Sequence, residues 1–528
     1  MNVDRSPELS KPRQPEDGSL SPDKEYFTKD GQYRWFYFGP EKTGLPLICL
    51  KDLQTGVIVT TTIANLEQRT GAFKAWAGAR HSRSPGMPWE IMHEMGEKGV
   101  DPDKRLEELF RNYGHASVGD MASVEVDIVR VPMHLCFAVF NDASINSGQE
   151  KSTRYQKWDS DDFTIPPELD SHSLRAEFVE TVRLLFKTYA DSLDPVRSVI
   201  LERFPRRENE KDEAWDRRIR SKYVDVCRFI LPAASLANVG MTANARVIEN
   251  TIRKMLSHEL AEVQEIGAKV KEVSMAETPT LVKYADAVPY LVETIKELEN
   301  RKSIIENRKS DEWCTLADYD KDGEAKVLAA ALYRFGEMPF ADAIAYIKTL
   351  PPNELEALAT SLLGRVGKFD VPLRELEYCM YTFDLVMDQG AYAEFKRHRM
   401  MTQTPQKLTT RLGYATPLLI TEAGFGAEYD SAMDAANRMF GKLYAFSPNV
   451  AQYVVPNGFN RRVLAEFNLR EAFAFCQLRS AANAHFSIRR VAQKMFEEMA
   501  RVHPLLTKYM KLHDESWQGV EEGYFSEV

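Results

Sequence analysis

The chain repeats itself, and that constrains its fold more than any local pattern does. Pro232 and Pro456, Asn244 and Asn468, and Arg246 and Arg470 each stand 224 residues apart. Further on, Pro279, Lys283 and Tyr284 face Pro504, Lys508 and Tyr509 at an offset of 225, a change that one gap explains. Matches in order and at a nearly constant offset mark two copies of one ancestral unit. The copies are assigned to 26–287 and 327–528. A polar, proline-punctuated tail precedes them at 1–25, read as disordered. The connecting stretch 288–326 opens with helical periodicity and ends in a charged, glycine-containing run, as a linker does.

Within each copy the periodicity is mixed. VRVPMHLCFAVF (129–140) and CMYTFDLVM (379–387) read as strands or buried helices, while 240–275 and 461–502 carry long amphipathic helical patterns. The predicted fold class is therefore α+β, as two tandem domains. A formal net charge of −10 opposes a general polyanion surface, so no nucleic-acid partner is expected. No apolar run is long enough to cross a bilayer. The six cysteines are scattered without a C-x-x-C pair and the ten histidines do not cluster, so neither a disulfide framework nor a metal site is expected. A reducing cytoplasm fits that usage.

Against this acidic background, residues 396–403 read KRHRMMTQ, with no acid among them. The forked donors of Arg397 and Arg399 suit phosphates and carbonyl oxygens, so a small anionic ligand is expected there. A second loop, SGQEKSTRYQ (147–156), offers hydroxyls and the Arg154 guanidinium to a phosphate. Read alone, the loop at 147–156 is a solvated turn and the cluster beside Lys396 a solvated helix face before either is a ligand site. No nucleotide fingerprint of the Rossmann or P-loop kind is present, since GFGAEY (424–429) lacks the third glycine.

Together the two loops resemble flavin-dependent thymidylate synthase, whose hallmark runs Arg-His-Arg-x-x-Ser and then Asn-Glu-x-Ser-x-Arg-Tyr. The first copy has Asp142, Ala143 and Ser144 in place of Arg-His-Arg but keeps Ser147, Glu150, Ser152, Arg154 and Tyr155. The second keeps Arg397, His398, Arg399 and a conservative Thr402, then has Pro405, Lys407 and Thr409 for Glu, Ser and Arg. The losses are complementary. YGHAS (113–117) resembles a flavin-contacting turn through His115 and Ser117. The family's flavin-contacting Asn-x-Arg matches Asn244/Arg246, followed by Asn250, and Asn468/Arg470, followed by Ala474. Its nucleotide-binding arginine matches Arg228, with Gln452 in the second copy, and its ring-polarising arginine matches Arg479. The glutamine expected three residues before Arg-His-Arg is Glu394, a like charge beside an anionic nucleotide.

This resemblance implies an enzyme that methylates dUMP to dTMP, with FAD as cofactor, NADPH as reductant and 5,10-methylenetetrahydrofolate as one-carbon donor. Glu150, Lys151, Ser152, Thr153, Arg154, Arg228, Arg397 and Arg479 would bind the nucleotide, and Arg479 would polarise its ring without a cysteine nucleophile. Because the family builds its sites between subunits, a fused pair implies one composite site from Arg154, Arg397 and Arg479, and a homodimer of tandem chains. Two alternatives remain open at this level. One is a flavoenzyme acting on C5 of another pyrimidine nucleotide; the other is a non-catalytic nucleotide- or flavin-binding protein.

Overall fold

The computed structural model describes residues 25–27, 33–38, 47–62, 101, 103–106, 120, 122–136, 147–151, 154, 156–301, 312–367 and 370–527. The tail up to residue 24, and His115, Ser117, Ser152 and Thr153 among the expected site residues, lie outside them. The chain forms two compact units that interleave along the sequence. The first comprises Met1–Ser152, Asp162–Arg175 and Ala234–Glu306, and the second Thr153–Asp161, Ala176–Ala233 and Asn307–Val528.

In the first unit, β1 (Glu25–Phe27), β2 (Tyr33–Phe38), β3 (Leu47–Asp52), β4 (Ile58–Thr62), β5 (Ser123–Pro132), β6 (Ser147–Glu150) and β7 (Leu236–Asn244) form one sheet in the order β1-β2-β3-β4-β5-β7-β6. Every pairing is antiparallel. Alternation along β5 and β7 buries Val124, Val126, Ile128, Val239 and Met241. Helices Ala245–Leu256 and Ala261–Glu277 pack on these strands and bury Ile248, Ile252, Val263, Ile266 and Val270.

In the second unit the strands are β8 (Cys314–Tyr319), β9 (Met380–Asp388), β10 (Thr402–Pro405), β11 (Thr416–Pro417), β12 (Asn460–Asn468) and β13 (Phe525–Glu527). Four of them form a sheet in the order β10-β12-β9-β8, and β11 pairs with β13. Phe383 of β9 stacks on Phe467 of β12 with ring centroids 5.8 Å apart. Helix Phe486–Val502 packs on β8 and β9 and buries Ile488, Val491, Met495 and Met499. Each such side chain taken from water contributes about 1.5–3 kcal/mol.

The duplication is visible in the strand register. Ser123 faces Asn244 where β5 meets β7, as Met380 faces Asn468 where β9 meets β12. Ser147 faces Thr242 on β6 and β7, as Thr402 faces Glu466 on β10 and β12. The pairing of Ser147 with Thr402 read from the motif is thus a structural equivalence. The two copies also meet inside the second unit. Ala233 N donates to Val455 O at 2.9 Å and Asn457 N to Leu231 O at 3.0 Å. Under the 224-residue offset these two bonds exchange, as at an isologous two-fold contact.

Two expectations change. The helical patterns at 240–275 and 461–502 begin as strands, because Leu236–Asn244 and Asn460–Asn468 alternate between buried and exposed positions. Asn244 and Asn468 end those strands and cap the helices that follow, accepting from Val247 N and Glu471 N, both at 2.9 Å. Within the stretch read as linker, Pro289–Arg301 is helical as expected, but Cys314–Tyr319 is an edge strand of the second sheet.

Candidate active site

The Arg-His-Arg turn is placed by its neighbours in sequence. β9 ends at Asp388, whose carboxylate caps the short helix Gln389–Phe395 by accepting from Ala391 N at 2.9 Å. Gly390 has no Cβ for a steric reason: one would lie 2.7 Å from Asp388 Oδ1 and 3.2 Å from Arg228 Nη2. The chain then turns through 396–401 into β10. Gln403 Nε2 fastens that turn by donating to the carbonyls of Phe395 at 3.2 Å and His398 at 3.0 Å.

His398 points inward. It lies edge-on to Phe475, with centroids 4.9 Å apart, between two residues of helix Leu469–Arg479. Arg479 Nε donates to its Nε2 at 2.9 Å, and its Nδ1 lies 2.7 Å from Glu471 Oε1. A guanidinium only donates, so Nε2 must be unprotonated, and Nδ1 carries the proton toward Glu471. Burial, reinforced by Arg479, lowers the His398 pKa against the opposing carboxylates, which keeps the ring neutral.

Arg479 and Arg154 meet on one carboxylate. Arg479 Nη1 donates to Glu394 Oε2 at 2.7 Å, and Arg154 Nη1 donates to Glu394 Oε1 at 3.0 Å. Arg154 also sets Nε against both oxygens of Asp225, at 3.2 and 3.1 Å, and gives Nη2 to Asn483 O at 3.2 Å. Behind Asp225 lies Arg228, with Nε 3.2 Å from Oδ1 and Nη2 donating to Gly390 O at 3.3 Å. Its side chain is only 2% exposed, so it supports Asp225 from within. His485 is fully buried and lies 3.4 Å from the same oxygen. Burial, with Arg228 and Arg154 adding to it, holds the His485 pKa well below the usual histidine range. Burial raises the Asp225 pKa, against the pull of Arg228 and Arg154.

The second unit therefore brings together Arg154 from the first copy and His398 and Arg479 from the second. Arg397 is exposed and Arg399 half-exposed, and among the described residues no carboxylate forms an ion pair with either. The Arg399 Nε atom is itself buried without a hydrogen-bond partner. Asn468 is occupied as a helix cap, and Arg470 donates to Pro372 O at 2.9 Å and Glu377 Oε1 at 3.0 Å. In the first unit, Asn244 is likewise a cap, Arg246 lies 3.4 Å from Asp120, and Asn250 is exposed. Glu150 and Lys151 are half-buried at the end of β6, with Lys151 N donating to Asn238 O at 2.9 Å.

The reciprocal position has become neutral. Gln452, at the place of Arg228, is buried and accepts from Leu408 N at 2.9 Å through Oε1. Thr409, at the place of Arg154, accepts a local bond from Arg411 N at 3.3 Å. Sequence reasoning missed Asp225, Glu471 and His485. Signals for the first two were present: Asp225 lies three residues before Arg228, and Asn468-x-x-Glu471 has the spacing of a capping box. Cys136, Cys227, Cys314, Cys379 and Cys476 are buried, and burial pushes the Cys227 and Cys379 thiols up to about 12, so neither of these two supplies a ready thiolate. Among the described residues no helix is long and apolar enough to cross a membrane.

A family model described as "Thymidylate synthase complementing protein" matches residues 66–280 and again 315–505. A "UPF0159 protein" of Chlamydia muridarum is 31% identical over 442 residues, covering 80% of this chain and 83% of that protein. "UPF0159 protein Ta1429" of Thermoplasma acidophilum is 27% identical, covering 78% and 89%. A "Flavin-dependent thymidylate synthase" of Sulfolobus acidocaldarius is 30% identical over 204 residues, covering 37% of this chain and 75% of that protein.

Proposed function

Because the chain belongs to the thymidylate synthase complementing protein family, matched twice along its length, we propose that it is an FAD-dependent thymidylate synthase with one composite site. It would form dTMP from dUMP, with methylenetetrahydrofolate as carbon donor and NADPH as reductant. One observation carries this reading. Arg154 of the first copy and Arg479 of the second converge on the same carboxylate, beside an Arg-His-Arg turn that retains its donors.

In this reading Arg479 is the catalytic residue and His398 a positioning residue. Arg479 polarises a carbonyl of the pyrimidine ring and stabilises the negative charge that builds on its oxygen as C5 reacts, without a covalent enzyme adduct. Neutral His398 accepts from Arg479 Nε and is held by Glu471, so the guanidinium is oriented before any ligand enters. Arg154 binds the phosphate, with Asp225 and Arg228 fixing its plane. Arg397 and Arg399 suit the flavin, because a carboxylate-free pair containing an orphaned buried Nε calls for an acceptor-rich partner. FAD, when bound, supplies the redox chemistry, and the protein supplies orientation and charge. The likeness to flavin-dependent thymidylate synthases and the absence of a ready thiolate at Cys227 and Cys379 support a route without a cysteine nucleophile.

The test is tritium release from C5-labelled dUMP by FAD-loaded protein with NADPH and methylenetetrahydrofolate. Release that depends on all three components is expected. Flavin-loaded, folded protein that binds dUMP but releases no tritium would sink the assignment.

A further inference from the structure

Both oxygens of Glu394 are taken, one by Arg154 and one by Arg479. Its side chain is 9% exposed, and the two arginines are 21% and 15% exposed. Two guanidiniums from distant parts of the chain therefore grip a single carboxylate, which is the coordination that a bound anion would receive from them. We infer that Glu394 is an internal anion: it holds Arg154 and Arg479 until a nucleoside monophosphate displaces it, the phosphate taking its place on Arg154 and a ring carbonyl its place on Arg479. This deepens the nucleotide reading of the site and rests on it.

Charge bookkeeping around the subsite supports the displacement. Arg154, Arg228 and Arg479 are balanced by Asp225, Glu394 and Glu471, Arg397 beside Arg479 and Asp388 beside Arg228 add one charge of each sign, and His398 and His485 are held neutral. A phosphate dianion added to that balanced cluster would leave its excess charge poorly solvated, which a half-buried site does not tolerate. Once Glu394 turns toward water, Arg479 is left with no carboxylate in an ion pair among the described residues, and Arg154 keeps Asp225. The pair then has positive charge to offer. Glu394 is the penultimate residue of the short helix Gln389–Phe395, three residues before Arg397 and outside any strand, so its side chain can move without a change of strand register. The consequence is selectivity: only an anionic group replaces the carboxylate on Arg154, so a nucleotide outcompetes its unphosphorylated nucleoside.

The experiment titrates wild-type protein, Glu394→Gln and Glu394→Asp with inorganic phosphate, dUMP and deoxyuridine by calorimetry, with no folate, reductant or turnover. Removing the internal competitor should tighten phosphate and dUMP binding on the order of tenfold in Glu394→Gln, with deoxyuridine unchanged. Glu394→Asp keeps the charge but is one methylene short of spanning both guanidiniums, so it should gain less. Folded variants that bind phosphate no better than wild type would overturn the inference and make Glu394 a brace. So would a gain for deoxyuridine equal to that for dUMP, or a Glu394→Asp protein that cannot fold. Tighter phosphate binding without tritium release would instead retain the internal anion and reject the proposed reaction.

Discussion

Arg228 and Arg154 share the Asp225 carboxylate, and replacing each with methionine should separate support from contact. Arg228 is 2% exposed, and its removal takes away an ion pair at 3.2 Å and a bond to Gly390 O at 3.3 Å. Breaking a buried pair by removing one partner costs roughly 3–5 kcal/mol. Asp225 would still keep Arg154, so the lower end, about 3 kcal/mol, is expected for Arg228→Met. Arg154 is 21% exposed, and its loss leaves Asp225 with Arg228 and Glu394 with Arg479. No carboxylate is stranded, and about 1 kcal/mol is expected for Arg154→Met. Urea denaturation followed by far-UV circular dichroism reads both, provided the slope is unchanged so that the midpoint shift reports stability. dUMP titration of the folded proteins completes the pair: Arg154→Met should lose affinity by tenfold or more, on the order of one charge-assisted contact, and Arg228→Met should keep most of it. Equal stability losses would refute the reasoning, as would folded Arg228→Met protein that no longer binds dUMP.

Arg399→Ala should purify with less flavin, or release it more readily, by a factor of roughly ten or more for one charge-assisted contact; unchanged flavin absorbance per protein would remove Arg399 from the cofactor site. Stability should also fall on the acid side. His485 Nδ1 accepts from Ser487 N at 3.2 Å, so the fold needs a neutral ring, and its folded pKa lies well below the ordinary value. The unfolded chain takes up that proton near pH 6.5 and the fold does not, so this contribution is complete above about pH 6.5 and is lost as pH falls toward the folded pKa. Asp225 and Asp388, with carboxyls that burial raises, act in the opposite sense. The measurement is therefore the difference between wild type and His485→Asn, whose melting temperature should fall less between pH 7 and pH 5. Parallel profiles would show that His485 does not carry the acid limb.

Much of the fold was legible because a duplication compares the chain with itself. The offset of 224 residues, found from Pro232, Asn244 and Arg246, is the offset at which the strand registers coincide. The pairing of Arg154 with Arg479 was legible too, since each copy keeps what the other has lost. The starts of the helices after Asn244 and Asn468 were not, because an apolar alternation running into a helical stripe hides the change of period until the capping bond is seen. β8 escaped because CTLADY buries only Cys314, as an edge strand does. Nor does sequence tell that Ala176–Ala233 belongs to the same compact unit as the second sheet, since that depends on packing between distant segments. Glu394 was legible as a departure from the family, but as a lone like charge it predicts repulsion. Its grip on two arginines needs coordinates.

The most direct test of a composite site is complementation. Arg154→Ala and Arg479→Ala chains, pure and co-expressed, are assayed for tritium release from C5-labelled dUMP beside wild type. Both arginines hold Glu394 of their own chain, so wild type should release tritium while each variant and the co-expressed mixture stay silent. Recovery of roughly a quarter of wild-type activity in the mixture, as random pairing with one intact site in each heterodimer would give, would contradict a site built within one chain.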